Sequence, residues 1–212
     1  MYGLEFEQKF VLDLRRHEEI KLELSHRVWD GVSGKVTFIR QFYDENGERY
    51  RSSVHGSDAP DLICEVKKKV NIGSKYSISL EQEMPPITPE DFEKGWKKNE
   101  MRRLQKIRYT IPGHRAGHKV MVDFFYRGPD AENIDECYAV IAEAETVLKP
   151  DTEALYLDFS LPIYLERYCL VAVDNSDPEM KVFRSANMVD VPEKIEEVKR
   201  AINKLYGPLS GT

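Results

Sequence analysis

The sequence contains few cysteines and no long apolar run. Three cysteines, Cys64, Cys137 and Cys169, are widely separated in 212 residues, and such a set does not form the disulfide framework of a small secreted protein. No segment approaches the roughly 20 apolar residues that cross a bilayer. Because three of the first ten residues are charged, no secretory signal is expected. We therefore expect a cytoplasmic protein without a membrane partner.

An excess of positive charge is also missing. The chain has 31 Lys and Arg residues against 37 Asp and Glu residues, for a net charge of −6 at pH 7. This balance disfavours general nucleic-acid binding, because phosphate backbones attract basic surfaces, but it allows a locally basic cavity. With 41% hydrophobic residues, the chain can build a core, and we expect a single domain over residues 1–212.

Strand patterns dominate the chain. The predicted strands cover residues 4–12, 35–44, 48–54, 62–70, 76–83, 105–111, 119–126 and 139–148, with a further strand near 168–173. Asn46-Gly47 predicts a tight hairpin with φ > 0 at both turn residues. About eight strands with few crossover helices predict an α+β, mainly antiparallel fold whose sheet is closed or nearly closed into a barrel.

Three helices are predicted. The first covers residues 14–28, and the second begins at Thr88, a good N-cap that is followed by Pro89 and the capping acid Asp91. The third covers about residues 191–206 and carries one apolar stripe. It either caps the barrel or supports a homodimer.

Charged residues alternate with apolar ones along the strands. Residues i, i+2 and i+4 of a strand share one face, so Glu5, Glu7 and Lys9 lie opposite Phe6 and Phe10. The same alternation recurs later in the chain, in the sets Arg49/Arg51, Glu65/Lys67/Lys69, Glu81/Glu83, Lys106/Arg108 and Glu143/Glu145, with Asp123 inside an apolar run. If the apolar faces pack against helices, the charged faces line a cavity.

A cavity of this kind requires partners for its charges. Buried charges are costly unless they are paired or bound to a ligand. Divalent cations such as Mg²⁺ or Mn²⁺ prefer carboxylate oxygens, and opposing Lys and Arg side chains bind anions. A metal-bound polyphosphate satisfies both sets. The alternative is that each pair belongs to a solvated strand face with cross-strand ion pairs.

The ordered set of these residues resembles the CYTH superfamily, the triphosphate tunnel metalloenzymes. Glu5-x-Glu7-x-Lys9-Phe10 is similar to the signature of that family. Further elements follow in the family's order over about residues 5–145, namely Gln41-x-Tyr43, Arg49-x-Arg51, Lys67, Glu81-x-Glu83, Lys106-x-Arg108, Asp123 and Glu143-x-Glu145. The chain departs from the pattern at Glu65, where the family usually has a small polar residue, and at Ser79, where arginine is common.

The resemblance implies an eight-stranded, closed antiparallel barrel with flanking helices that holds a triphosphate along its axis. It implies Mg²⁺ or Mn²⁺ ligands at Glu5, Glu7, Glu143 and Glu145, with second-tier ligands or water-orienting groups at Asp123, Glu81 and Glu83. It implies phosphate contacts at Lys9, Arg49, Arg51, Lys67, Lys106 and Arg108, with Lys69 as a further candidate. Catalytic roles fall to Glu5, Glu7 and Lys9.

The implied reaction is metal-dependent hydrolysis of a triphosphate. Two alternatives stay open, a class IV adenylate cyclase that makes cyclic AMP from ATP and a non-catalytic module that binds triphosphates or polyphosphate. The sequence does not distinguish inorganic triphosphate, nucleoside triphosphates, thiamine triphosphate and 5′-triphosphate RNA as ligands. Among nucleic acids, 5′-triphosphate RNA alone is expected as a partner.

Overall fold

Strands make up most of the described part of the chain. The computed structural model of the protein describes residues 2–29, 34–56, 58–72, 76–113, 118–127, 136–147 and 159–206. The strands are β1 Tyr2–Leu12, β2 Lys35–Tyr43, β3 Arg49–Val54, β4 Asp61–Ile72, β5 Tyr76–Glu83, β6 Arg103–Pro112, β7 His118–Tyr126, β8 Cys137–Val147 and β9 Cys169–Ala172. The helices are α1 His17–Trp29, α2 Pro89–Lys98, α3 Ile163–Glu166 and α4 Pro192–Leu205.

The nine strands form one antiparallel sheet. Their order is β5-β4-β3-β2-β6-β7-β8-β1-β9, with an additional pairing between β5 and β1. One edge of β1 pairs with β8 over residues 5–11. Its other edge pairs with β5 over residues 2–7 and with β9 over residues 10–12. The predicted α+β, mainly antiparallel architecture is confirmed, with the strand near residue 170 as its ninth member.

The hairpin between β2 and β3 is confirmed, but its predicted backbone was wrong at one residue. Gly47 has a φ of 81°, whereas no described residue other than glycine has a positive φ. The loop is longer than a two-residue turn, since β2 ends at Tyr43 and β3 begins at Arg49. The Asp44 carboxylate stabilises it by accepting hydrogen bonds from the backbone N–H groups of Asn46 and Glu48. A loop of this length needs the left-handed conformation at its glycine alone.

The apolar faces of β1, β6, β7 and β8 pack against helix α1 and the segment around α3. Phe6 and Phe10 of β1 belong to the same buried cluster as Ile20 and Leu24 of α1 and Leu165 of α3. Burying apolar surface stabilises the fold by about 25 cal/mol per Å². The condition for a charged cavity, that the apolar strand faces pack against helices, is therefore met in this half of the sheet.

Helix α2 covers the neighbouring strand β2. The Thr88 hydroxyl accepts a hydrogen bond from the Asp91 backbone N–H at 3.1 Å and donates one to the Asp91 carboxylate at 2.7 Å, which confirms the predicted start of the helix. Phe92 and Trp96 of α2 form a separate buried cluster with Phe42 of β2. Gly95 permits this packing, since a Cβ atom there would lie 2.4 Å from the Phe42 ring.

The first and last predicted helices are present with small differences. Residues Leu14–Arg16 form a 3₁₀ turn before α1 begins at His17, because the Asp13 carboxylate accepts a hydrogen bond from the Arg15 backbone N–H. Helix α4 buries Ile195, Val198 and Ile202 on one face. None of the described helices is long and apolar enough to span a membrane.

The packing of α1 on the sheet predicts that Leu24→Ala lowers the free energy of unfolding by about 2–5 kcal/mol, because it leaves a cavity in a core site. Leu24 is fully buried, whereas Leu22 of the same helix is 61% exposed. Leu22→Ala is therefore a matched control, with an expected change within about 0.5 kcal/mol. Urea denaturation measures both. Equal effects of the two substitutions would contradict the position of α1.

Candidate functional site

A charged cavity of about 360 Å³ lies on the sheet face opposite α1. The strands that contribute to it are β1, β2, β3, β6, β7 and β8. Nine residues expected at the site line this cavity, namely Glu5, Glu7, Lys9, Arg49, Arg51, Lys106, Arg108, Glu143 and Glu145. The strand alternation read from the sequence thus brings acids and bases from distant parts of the chain into one space.

The register between β1 and β8 places acidic residues side by side. Glu7 lies opposite Glu145, and Lys9 lies opposite Glu143. Both Glu7 and Glu145 are buried. The Ser77 hydroxyl donates a hydrogen bond of 3.2 Å to Glu7, and Lys9 Nζ lies 3.5 Å from Glu143 Oε1. This pairing concentrates negative charge on one wall of the cavity.

Glu145 is buried within this negative charge. Burial, followed by the negative charge of Glu5, raises the pKa of Glu145 to about 7, although Lys119 opposes the shift. Lys119 Nζ lies 2.7 Å from Glu145 Oε1. A carboxylate that is held this far from its ordinary pKa is typical of functional sites.

The acidic wall fits a divalent cation that is shared with a ligand. Glu5, Glu7, Glu143 and Glu145 supply oxygen donors to one cavity, and a cation there would relieve the repulsion that, after burial, raises the pKa of Glu145. Within the described ranges, no three acidic, histidine or cysteine side chains converge into a metal site by themselves. Mg²⁺ commonly takes one or two carboxylates and completes its shell with water and substrate phosphate oxygens. The donors present suit that mode of binding.

Asp123 forms ion pairs with two cations of the adjacent strand β6. Its carboxylate accepts hydrogen bonds from Lys106 Nζ at 2.6 Å and from Arg108 at 2.7 and 2.8 Å. Burial alone would raise the pKa of Asp123, but Arg108 and Lys106 outweigh it and lower the pKa to about 2. Burial, and then Arg108, lowers the pKa of Lys106 to about 7. Asp123 therefore holds these two cations in place, and its role as a metal ligand stays a prediction.

A second carboxylate orients the arginines of β3. Glu65 is buried, and its Oε1 atom lies 2.5 Å from Arg49 Nη2 and 3.8 Å from Arg51 Nη2. The β3–β4 register places Arg49 directly opposite Glu65. The residue that departs from the family pattern thus has a structural partner among the expected phosphate-binding residues.

Four expected site residues have side chains outside the described part of the structure. They are Lys67, Lys69, Glu81 and Glu83. The backbone register pairs Lys67 with Glu81, and Lys69 with Ser79. Their roles stay predictions.

Other cavity residues were not assigned a role from the sequence. They are Ile39, Gln41, Tyr43, Lys119, Met121, Arg184 and Ala186. Lys119 shares a strand face with Asp123, so the alternation along β7 could have identified it. Gln41 donates a hydrogen bond of 2.7 Å to the Tyr43 hydroxyl. Arg184 lies in irregular chain, where no periodicity indicates which way a side chain points.

Comparison with known proteins gives structural matches alone. No family model matches the chain, and no curated protein matches it. Among solved structures, the inorganic triphosphatase NE1496 is 16% identical, with a TM-score of 0.44 and coverage of 88% of this chain and 95% of that one. The mimivirus capping enzyme triphosphatase is 12% identical, with a TM-score of 0.44 and coverage of 68% and 80%.

A third match is not a triphosphatase by name. A chain of the Schizosaccharomyces pombe Mediator head module is 12% identical, with a TM-score of 0.45 and coverage of 72% of this chain and 86% of that one. The matches thus include triphosphatases, the enzyme class of the family that the sequence resembles. Identities below 25% and TM-scores below 0.5 leave the function to be inferred from the side chains of this chain.

The raised pKa of Glu145 predicts that the metal-free protein loses stability as the pH rises from about 4.5 to about 7. In that window the unfolded chain releases a proton that the folded protein still holds, so rising pH favours unfolding. The shift corresponds to roughly 3 kcal/mol. Urea denaturation in the presence of EDTA, at pH 5 and pH 8, measures the loss. Glu145→Gln should remove most of it, and an equal loss in both proteins would contradict this assignment.

Proposed function

We propose that this protein is a metal-dependent hydrolase of triphosphate-containing substrates, with inorganic triphosphate or a nucleoside triphosphate bound in the charged cavity. One observation carries the proposal: the acids of β1 and β8 and the cations of β1, β3 and β6 line the same cavity. A triphosphate with its cation matches both signs of charge, whereas a neutral ligand or a bare anion matches at most one.

We also propose that the sheet closes into an eight-stranded tunnel, with residues 1–212 as a single domain. The pairing of β1 with both β8 and β5 supports this closure, because β5 and β8 otherwise lie far apart in the strand order. A tunnel excludes bulk water around the phosphates, and lower dielectric strengthens every charge contact inside it.

Substrate binding falls to the cationic residues. The residues that bind the phosphate oxygens are Lys9, Arg49, Arg51, Lys67, Lys106 and Arg108, with Lys69 as a further candidate. Arginine suits this role, because its planar guanidinium donates two parallel hydrogen bonds to a phosphate. Asp123 and Glu65 hold several of these cations in position before the substrate arrives.

The chemical step is attack of water on the terminal phosphorus. A carboxylate of the acidic wall orients the water and accepts its proton, while the bond from that phosphorus to the bridging oxygen breaks and diphosphate leaves. Lys9 stabilises charge on the transferred group. Glu5, Glu7, Glu143 and Glu145 would hold Mg²⁺ or Mn²⁺, assisted by Asp123, Glu81 and Glu83. When bound, the cation supplies neutralisation of phosphate charge.

The function is tested by ³¹P NMR of products. The protein is incubated with inorganic triphosphate, ATP, thiamine triphosphate or a 5′-triphosphate RNA, with Mg²⁺ or Mn²⁺ and with EDTA. We expect the protein to release orthophosphate with Mg²⁺ or Mn²⁺ but not with EDTA. The Glu5→Ala/Glu7→Ala variant should lower the rate of release about 100-fold or more. Glu18→Ala/Glu19→Ala is the matched control, because it removes the same charge from an exposed surface of α1.

Each alternative has its own outcome. Cyclic AMP and diphosphate from ATP would identify a cyclase, in which the ribose hydroxyl replaces water. Tight triphosphate binding without turnover of any substrate would identify a non-catalytic binding module. Absence of both binding and turnover would contradict the proposal and leave the charge pairs as structural ion pairs.

A further inference from the structure

The chain after β9 occupies one end of the cavity face of the sheet. Val182, Phe183 and Met188 are buried in one cluster with apolar strand residues and with the buried face of α4. The strand residues share the face that carries the site charges, and they are Val11, Leu104, Phe125 and Ile141. We call this group the end cluster. The cavity face is therefore charged over most of its length and apolar at this end.

The opposite end of the cavity face is polar. Lys119, near the start of β7, has a side chain that is 41% exposed, whereas Phe125, near the end of the same strand, is buried in the end cluster. Phe125 lies six positions after Lys119 along the strand, which corresponds to roughly 20 Å. A ligand that enters at Lys119 therefore meets the segment around residue 184 at the far end.

Arg184 lines the cavity from this segment, as does Ala186. Its backbone is fixed by hydrogen bonds, since its N–H donates to Lys181 and its carbonyl accepts from Asn187 and Met188. Phe183, directly before it, is 1% exposed. The end cluster thus holds Arg184 at the cavity in a defined position.

Arg184 differs from the other cavity cations in its ion-pair partners. Each of the others has a carboxylate within 3.8 Å, and they are Lys9, Arg49, Arg51, Lys106, Arg108 and Lys119. In the described part of the chain, no ion pair or side-chain hydrogen bond joins Arg184 to another residue. A half-buried guanidinium that faces a charged cavity without an acidic partner is suited to a ligand anion.

We propose that Arg184 is a further substrate-binding residue, which contacts the terminal phosphate of the triphosphate at the end of the cavity that the end cluster fills. This inference rests on the proposed function and extends it to the orientation of the substrate. An organic group attached to the triphosphate then lies toward Lys119. Inorganic triphosphate and ATP should depend on Arg184 to the same degree, because both present a terminal phosphate to it.

The test is isothermal titration calorimetry with non-hydrolysable imido analogues of inorganic triphosphate and ATP, each with Mg²⁺, because the proposed hydrolysis would consume the substrates themselves. Arg184→Gln removes the charge and nearly keeps the shape, and we expect it to raise Kd about 10- to 100-fold for both ligands. Arg184→Lys should recover part of the loss. Lys181→Gln is the matched control, since Lys181 lies in the same segment with an exposed side chain, and its Kd should equal that of the wild type.

The outcomes separate this inference from the proposed function. Wild-type affinity in Arg184→Gln would overturn the role of Arg184 and leave the function standing. A loss confined to ATP would overturn the orientation, because Arg184 would then contact the nucleoside. No binding by the wild-type protein would overturn the proposed function and this inference with it. Thermal denaturation checks that each variant folds, and Arg184→Ala repeats the measurement with a side chain that cannot clash.

Discussion

The alternation of side chains along each strand is the constraint on which this structure depends. A strand that presents Glu5, Glu7 and Lys9 to one side must present Phe6 and Phe10 to the other. The apolar side then needs a cover, which α1 and the segment around α3 provide. The charged side needs partners of opposite charge, several of which the neighbouring strands supply. The charged cavity and the helices that cover the opposite face therefore both follow from the alternation of side chains along each strand.

The charges of the cavity are arranged so that cations are held before any ligand binds. Asp123 accepts hydrogen bonds from Lys106 and Arg108, and Glu65 pairs with Arg49. Buried ion pairs of this kind contribute little net stability, because desolvation offsets their attraction. Their consequence is geometric: the cations face the cavity in fixed positions, so a bound phosphate has less side-chain freedom to remove.

On the acidic wall, in contrast, residues of like charge lie next to each other. Glu7 and Glu145 lie opposite each other in the register of β1 and β8, and the pKa of Glu145 records the cost of that arrangement, with burial as its largest cause. Such a cost is retained at sites where a ligand offsets it. Under the proposed function, the cations are held by acids of the protein, whereas the acidic wall also binds the metal cation that arrives with the substrate.

The sequence by itself determined the strands and the shared face of the nine charged residues that line the cavity, because a period of two residues is a local property of the chain. It also determined the start of α2 through Thr88, whose capping contact spans three residues. Long-range register was not readable in this way. Only the tertiary structure decided that Asp123 pairs with Lys106 and Arg108, that Glu65 pairs with Arg49, and that Arg184 reaches the cavity. These contacts join segments distant in sequence, and Arg184 lies in irregular chain, where side-chain direction follows from packing and not from any periodicity.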